Sequence, residues 1–176
     1  MAIYSENEAI GRVASLHIHP PNAGEPMLSV DSMAIETNAG IVGNTRYWQR
    51  QSPSTGKPNC RQISLIEREQ IEKHANSLGL PSIEAGLVRS NIETEGIDLV
   101  TLVNCKISIG ETTLYIAATR DPCHKMDKIT LGLREMMMDN KQGVLARVVQ
   151  SGKIKIGDAI QSIHDNPSHL HPHHWR

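Results

Sequence analysis

The residues best suited to chemistry surround a cysteine in residues 120–125, which read Arg-Asp-Pro-Cys-His-Lys. A cysteine thiolate is both a nucleophile and a soft metal ligand, and neighbouring positive charges favour it over the neutral thiol. Arg120 and Lys125 supply such charges. The segment follows a predicted strand that ends near Thr119, where chain leaving a sheet is often exposed. We therefore predict that Cys123 is the reactive group, the alternative being a cysteine with no chemical role.

The other two cysteines have different predicted roles. Cys105 shares the alternation of Ile107 and Ile109 and is expected to point into the core, where cysteine acts as a small hydrophobic residue. Cys60 lies beside Arg61 at the end of a polar loop and is interpreted as a loop residue. Three cysteines without a Cys-x-x-Cys pair are typical of a reducing compartment.

A second polar cluster occupies residues 89–95. Arg89, Asn91, Glu93 and Glu95 share one side if this segment is extended. Arginine binds anionic oxygens through two parallel N–H groups, so an arginine beside an amide suits a phosphate or a polar heterocycle. The alternative interpretation is an edge strand with a solvated polar face.

Two further segments carry polar groups without an established motif. Residues 40–46 read Gly-Ile-Val-Gly-Asn-Thr-Arg and end at Arg46, but they lack the Walker or dinucleotide-binding spacing. The tail contains His169, His171, His173 and His174, which could chelate a metal. The absence of acidic partners in that run favours an incidental, flexible tail.

The elements that must position these residues are mostly strands. Alternating apolar residues predict strands in residues 13–18 and 27–37, a hairpin over residues 105–118, and three short strands between residues 144 and 160. Helical spacing predicts one helix near residues 66–78 and a second over residues 129–137. The pattern indicates a mainly β, barrel-like single domain with two or more short helices.

Composition limits the function classes. The chain has 176 residues, which we divide into one domain over residues 1–165 and a flexible histidine-rich tail over residues 166–176. Its 18 basic and 19 acidic residues give a net charge of -1, and aromatic residues are only 3%, so nucleic-acid binding is not expected. No apolar run approaches the ~20 residues that span a bilayer, and no signal peptide is apparent, so we expect a cytoplasmic protein.

Six segments together resemble a known family. They are residues 40–43, 61–66, 89–92, the hairpin around 109–110, residues 120–123 and residues 152–158. Their order and spacing over about residues 30–160 resemble a stand-alone MOSC domain, the module named for the C-terminal part of molybdenum cofactor sulfurase. The resemblance implies a β-rich barrel-like fold with a cofactor pocket on one side.

The resemblance also assigns roles to individual residues. It places Cys123 at the family's functional cysteine, which is a molybdenum ligand in relatives such as the mitochondrial amidoxime-reducing component. Arg89 and Asn91 match the Arg-x-Asn motif at the pterin-phosphate side of the site, and Arg120 belongs to the cysteine motif.

Arg46 follows the matching residues 40–43, Arg61 begins the matching residues 61–66, and both complete the expected cofactor-binding set. The first of these segments departs from the family pattern. Gly43 is usually followed there by Asp and a basic residue, whereas this chain has Asn44 and Thr45, which alters the charge of the loop.

The activity implied by the resemblance is oxygen-atom transfer on a molybdenum–molybdopterin cofactor, with reduction of N-hydroxylated compounds and electrons supplied by a reductase partner. An alternative is a sulfur carrier in which Cys123 holds a persulfide received from a cysteine desulfurase. A further alternative is a small-molecule binding module without catalysis. Pyridoxal phosphate is not expected to bind covalently, because full-length sulfurases carry it in a separate domain.

Overall fold

A computed structural model describes residues 10–163 of the chain. The tail assigned to residues 166–176 lies outside this range. Eleven strands are present within it: β1 (Gly11–Ile18), β2 (Leu28–Val30), β3 (Ser32–Glu36), β4 (Gly40–Ile41), β5 (Ile63–Glu67), β6 (Ile92–Glu95), β7 (Lys106–Ile109), β8 (Thr112–Thr119), β9 (Val144–Gln150), β10 (Gly152–Lys155) and β11 (Ala159–Ile163). The α-helices are α1 (Arg68–Ser77) and α2 (Leu133–Met136), and 3-10 helices cover Val100–Leu102 and His124–Lys128.

Seven of the strands close into a mixed barrel. Their order is β1-β11-β7-β8-β9-β5-β6, and β6 pairs back with β1. Closure pairs Gly11 with Ile160, and the β5–β6 pair is the parallel neighbour among these otherwise antiparallel strands. β2 extends the sheet beyond β1, while β10, β3 and β4 form a second, three-stranded sheet. The expected mainly β, barrel-like fold is confirmed.

Strand alternation fills the barrel. In the β7–β8 hairpin Ile107, Ile109, Leu114 and Ile116 are fully buried, while Ser108, Thr113 and Tyr115, which alternate with them, are partly exposed. Each such side chain contributes about 1.5–3 kcal/mol when it leaves water. The hairpin predicted over residues 105–118 is therefore present, and its inward face forms part of the main core.

A second core lies under α1. Ile71 and Ala75 of this helix are buried in one cluster with Met126, Leu133 and Met137. The cluster holds the chain that follows β8 against the helix that follows β5. It thereby anchors the segment just after Cys123.

The predicted helix over residues 129–137 is wrong as a continuous element. The 3-10 helix ends at Lys128, and Gly132 adopts a left-handed φ of 91° before the four-residue α2. Leu133 and Met137 still bury one face, as their spacing predicted. Periodicity marked the buried positions but did not show the reversal at Gly132.

The prediction of a buried Cys105 is also wrong, because this residue is exposed. Asn104 has a φ of 70°, and the Cys105 N–H donates to the Leu102 carbonyl at 2.9 Å in a turn. Strand alternation begins only at Lys106. Extrapolating it back by one residue assigned Cys105 to the core.

Residues 27–37 form two strands, β2 and β3, instead of one.

Within residues 10–163, none of the helices has the length and apolar character needed to cross a bilayer.

Candidate functional site

Cys123 lies in a small cavity of about 170 Å³. Chain segments at the ends of several strands meet there. The lining residues are His19, Arg46, Tyr47, Ser64, Arg89, Arg120, Cys123, His124, Lys125 and Met126. Four of the residues singled out in the sequence, namely Arg46, Arg89, Arg120 and Cys123, are thus brought together.

The thiol is held at the surface of this cavity. Cys123 is exposed and directly precedes the 3-10 helix His124–Lys128. Its carbonyl accepts a hydrogen bond from the Met126 N–H at 3.1 Å, and Met126 is buried in the second core. The backbone beside the thiol is therefore fixed, while the sulfur stays accessible.

Arg120 is fixed by three hydrogen bonds. Its backbone N–H donates to the Gly143 carbonyl at 2.9 Å, and its guanidinium donates to Ser90 Oγ at 3.1 Å and to the Arg89 carbonyl at 3.3 Å. Burial lowers the pKa of Arg120 below its ordinary value, although the nearby Tyr47 and Cys123 act in the opposite direction. The side chain is therefore a preorganised cation.

Arg89 occupies a strained backbone position. Its φ is 62°, a left-handed conformation that costs a non-glycine residue energy and recurs at functional sites. Its guanidinium donates to the Glu25 carbonyl at 2.9 Å. Burial, followed by the charge of Arg46, lowers the pKa of Arg89, and Cys123 partly offsets this.

None of these cations has a carboxylate partner within residues 10–163. Ion pairs in the described chain join Arg12 to Glu95 and Arg68 to both Glu72 and Glu93, and none of these five residues lines this cavity. The described lining of the cavity also contains no acidic side chain. Clustered, partly buried cations without counter-charges are stabilised by a bound anion.

Tyr47 and His19 also line the cavity, and neither was singled out in the sequence. The guanidinium of Arg46 lies 5.7 Å from the centre of the Tyr47 ring, and the His19 ring meets Tyr47 edge-on at 6.2 Å. Tyr47 also has a left-handed φ, of 68°. The one available sequence signal for His19 was its position directly after the first predicted strand.

Asn91 supports the cavity from behind. It is 1% exposed, and its Oδ1 accepts from both the backbone N–H and the hydroxyl of Ser64 at 3.1 Å. Its Nδ2 donates to the His17 carbonyl at 3.1 Å. These bonds join β1 and β5 to the start of β6. The Asn91 amide is thus engaged in hydrogen bonds within the protein.

Two other expectations concern the surroundings of Asn91. The edge-strand interpretation of residues 89–95 is wrong, because β6 pairs with β5 on one side and with β1 on the other. Arg61 is exposed and does not line the cavity, although its charge contributes to lowering the pKa of Arg120.

A larger cavity of about 600 Å³ adjoins the thiol cavity and shares Arg89 and Lys125 with it. Its wall combines apolar side chains such as Met27 and Leu87 with the opposite charges of Glu84 and Lys128. Pockets for small organic ligands have volumes of roughly 300–1,000 Å³. The larger space is of that size, whereas the thiol cavity is smaller.

Cys60 lies elsewhere, exposed in a separate cavity of about 510 Å³ with Lys57 and Arg147. Its interpretation as a loop residue agrees with its place between β4 and β5.

The family model described as the MOSC domain matches residues 47–161. The chain belongs to the MOSC domain family. No curated protein matches the sequence. Among solved structures, the YuaD protein from Bacillus subtilis is similar at a TM-score of 0.71 and 19% identity, over 85% of this chain and 93% of that one.

Two further structures share the fold. YiiM from Geobacillus stearothermophilus is similar at a TM-score of 0.67 and 16% identity, over 88% of this chain and 75% of that one. YiiM from Escherichia coli is similar at a TM-score of 0.60 and 16% identity, over 89% and 69%. The MOSC chain described here therefore has the barrel of these proteins, with its cysteine and arginines gathered at one cavity.

Proposed function

We propose that this MOSC protein binds a molybdopterin-type cofactor, with Cys123 as the thiolate ligand of molybdenum and Arg46, Arg89 and Arg120 as the binding site for anionic oxygens. The observation that supports this is the convergence of an exposed thiol and three cations without carboxylate partners, within residues 10–163, on one cavity. MOSC membership supports the same cofactor class.

The residues present fit this group chemically. Within residues 10–163, no three His, Cys, Asp or Glu side chains come together as a metal site, so the protein's own contribution would be the single Cys123 thiolate. A soft thiolate suits molybdenum held mainly by cofactor sulfur, and guanidinium groups suit a phosphate. The thiol cavity of about 170 Å³ would take one end of the cofactor, leaving the rest to extend beyond it.

When bound, the cofactor would supply oxygen-atom transfer, and we propose reduction of N-hydroxylated compounds as the activity. Converting N–OH to N–H consumes two electrons and two protons and releases water, so a reductase must supply the electrons. The chain's own residues bind and orient: Arg120 is fixed by its hydrogen bonds, and Arg89 stands between the two cavities. The larger cavity is the proposed space for substrate.

The proposal is tested by the molybdenum and pterin content of the protein purified from a cofactor-producing host. We expect near-stoichiometric metal in the wild type and in Cys60→Ala, which removes a different exposed thiol. Metal should be lost in Cys123→Ala. Absence of both metal and pterin from correctly folded wild-type protein would contradict the proposal, as would full metal retention in Cys123→Ala.

A second candidate function is a sulfur carrier, and the exposure of Cys123 favours it, because a carrier thiol must reach both its donor and its acceptor. The cysteine desulfurase would transfer the sulfur atom from its own persulfide to the Cys123 thiolate. Mass spectrometry after incubation with desulfurase and cysteine should then find one added sulfur on Cys123. Equal addition to Cys60 and Cys105 would indicate non-specific transfer and contradict this function.

A non-catalytic binding module, the third possibility, predicts slow modification of Cys123 by thiol reagents. The exposed position of this cysteine does not support it.

A further inference from the structure

The hydrogen bonds of Asn44 determine which nitrogen of the His19 ring carries a proton. Asn44 Nδ2 donates to the Arg46 carbonyl at 2.7 Å, which fixes the orientation of the amide. Its Oδ1 therefore faces His19 and accepts from the His19 backbone N–H at 2.7 Å. The same oxygen lies 2.9 Å from His19 Nδ1. An amide oxygen cannot donate, so the hydrogen must be on Nδ1.

The other ring nitrogen, Nε2, consequently has a lone pair when the ring is neutral. Within residues 10–163, the hydrogen bonds of His19 involve its backbone N–H, its carbonyl and Nδ1, and none involves Nε2. Burial lowers the pKa of His19 to about 4; the hydrogen bond to Asn44 opposes this shift, whereas the nearby Arg89, Arg46 and Arg120 reinforce it. The ring is therefore neutral at pH 7, with an acceptor in the wall of the thiol cavity.

This acceptor is unusual among its neighbours. Arg46, Arg89, Arg120 and Lys125 donate hydrogen bonds and cannot accept them. The hydroxyl of Ser64 is already engaged with Asn91, both as donor to Oδ1 and as acceptor from the backbone N–H. Cys123, the Tyr47 hydroxyl and the exposed His124 ring can each donate as well as accept, so the cavity presents many donors to a ligand and one nitrogen whose acceptor role is fixed, His19 Nε2.

We propose that the thiol cavity selects an oxyanion that retains a hydrogen, of the hydrogen-phosphate class. Its ionised oxygens would accept from the guanidinium groups, and its O–H would donate to His19 Nε2. His19 is then a specificity-determining residue. The inference rests on the anion site of the proposed function and adds which protonation form that site prefers.

Inorganic phosphate and sulfate are matched probes for this preference, because both are tetrahedral oxyanions and phosphate alone keeps an O–H at pH 7. Calorimetric titration of the full chain should show that phosphate binds about tenfold more tightly than sulfate, since an acceptor left without a donor loses roughly that factor. His19→Leu should bring the ratio close to one. His124→Leu, which removes an exposed histidine of the same cavity, should change both affinities by one factor and preserve the ratio.

Nitrogen-15 NMR of the histidine rings gives a second test that needs no variant. A neutral ring protonated at Nδ1 is expected for His19 at pH 7, and a hydrogen on Nε2 would overturn the inference. Equal affinities for phosphate and sulfate, both weakened in Arg89→Gln, would also overturn it while leaving the anion site intact. If neither anion bound, the inference and the anion site of the proposed function would both fail.

Discussion

Three guanidinium groups share the cavity of Cys123. Their mutual repulsion destabilises the folded protein when no ligand is bound. Two unit charges 4 Å apart repel by about 1 kcal/mol in water and by more in a partly buried site. A bound anion removes this repulsion. Because a ligand that binds the folded state stabilises it, anion binding and thermal stability must be coupled.

Arg89→Gln tests this coupling. The free variant should be about as stable as the wild type, since relief of charge repulsion offsets the lost hydrogen bond to the Glu25 carbonyl, but millimolar phosphate should raise its Tm less. Lys73→Gln, on the exposed face of α1, should retain the full wild-type increase. Melting curves with and without phosphate measure both effects, and an undiminished increase in Arg89→Gln would contradict the role of this residue.

The buried His19 also makes stability depend on pH. Its pKa is about 4 in the folded protein, against an ordinary value of 6.5 for a solvated histidine, so the unfolded chain binds more protons between these limits. Stability from this residue is therefore complete above pH 6.5 and is lost as the pH falls toward 4. The linkage relation gives a loss of about 2 kcal/mol at pH 5.

Denaturant unfolding of wild type and His19→Leu at pH 7 and pH 5 isolates this contribution. His17 and His74, whose pKa values are also lowered by burial, add the same trend to both proteins and cancel in the comparison. The variant should lose about 2 kcal/mol less than the wild type on acidification. An equal loss would show that His19 accepts a proton as readily in the fold as in the unfolded chain.

At the residue scale, the sequence predicted the parts of the site that carry distinctive chemistry. Cys123 and its nearest arginine stand together in the chain, and they remain together in the cavity. His19 and Tyr47 could not be predicted, because their place depends on how β1 and the loop after β4 approach the cavity. Asn91 was selected for its polarity, yet its amide is used to join strands.

At the scale of elements, β6 connects the barrel to the loop that presents Arg89. Glu93 of this strand is buried, accepts from the Gly86 N–H at 2.8 Å and pairs with Arg68 at 3.1 Å. The Arg68 guanidinium also donates to the carbonyl of Ile83. This network holds both ends of the turn that leads into Arg89.

Glu93→Gln should therefore destabilise the protein by about 3 kcal/mol, because it removes the buried carboxylate that offsets the charge of Arg68 and leaves only the exposed Glu72 as an ion-pair partner. Glu95→Gln is the matched control, because it removes another carboxylate of the same strand. The ion pair of Glu95 with Arg12 is largely exposed, so this change should cost less than about 1 kcal/mol. Chemical denaturation measures the two changes. Equal effects would contradict a structural role for the buried pair.

Elements that depend on local sequence signals were predicted correctly, whereas elements that depend on contacts between distant parts of the chain were not. The β7–β8 hairpin follows from alternation and a tight turn, both visible in the sequence. The interior position of β6 depends on pairing with β1 and β5, which are distant in the chain, so its polar residues suggested an edge. The glycine at position 132 is the sequence signal for the interruption between the two short helices, but the helical spacing of the apolar residues around it predicted one continuous helix.

On the scale of the whole molecule, closing the barrel requires a close approach at Gly143. This residue has a φ of 82°, and a Cβ there would overlap the carbonyl oxygen of Leu65. Its own carbonyl accepts from the Arg120 N–H. One glycine therefore serves both the β5–β9 contact and the position of the cavity arginine.

Gly143→Ala should cost several kcal/mol, since both the backbone conformation and the packing oppose a side chain. Gly56→Ala is a control with a similar positive φ, of 66°, and open space around it, and should cost about 1 kcal/mol. Comparing the thermal unfolding of the two variants separates the cost of backbone strain, which both share, from the cost of steric overlap, which only Gly143→Ala has. Equal losses would show that the neighbouring strands move apart without cost.

The net charge of -1 is another whole-molecule property, and it gave no sign of a local cationic site. Opposite charges placed elsewhere on the chain cancel in the sum. The family resemblance predicted the fold, whereas the unpaired state of the arginines became visible only once ion pairs could be assigned in three dimensions.

The most direct test of the central claim, that Cys123 shares an anion-binding cavity with these arginines, is the rate at which each exposed cysteine reacts with iodoacetate relative to neutral iodoacetamide. Positive charge attracts the anionic reagent. Peptide mass spectrometry should give a higher ratio at Cys123 than at the exposed Cys105, and inorganic phosphate should slow the reaction at Cys123 selectively. The same ratio at both cysteines, with no protection by phosphate, would contradict the claim.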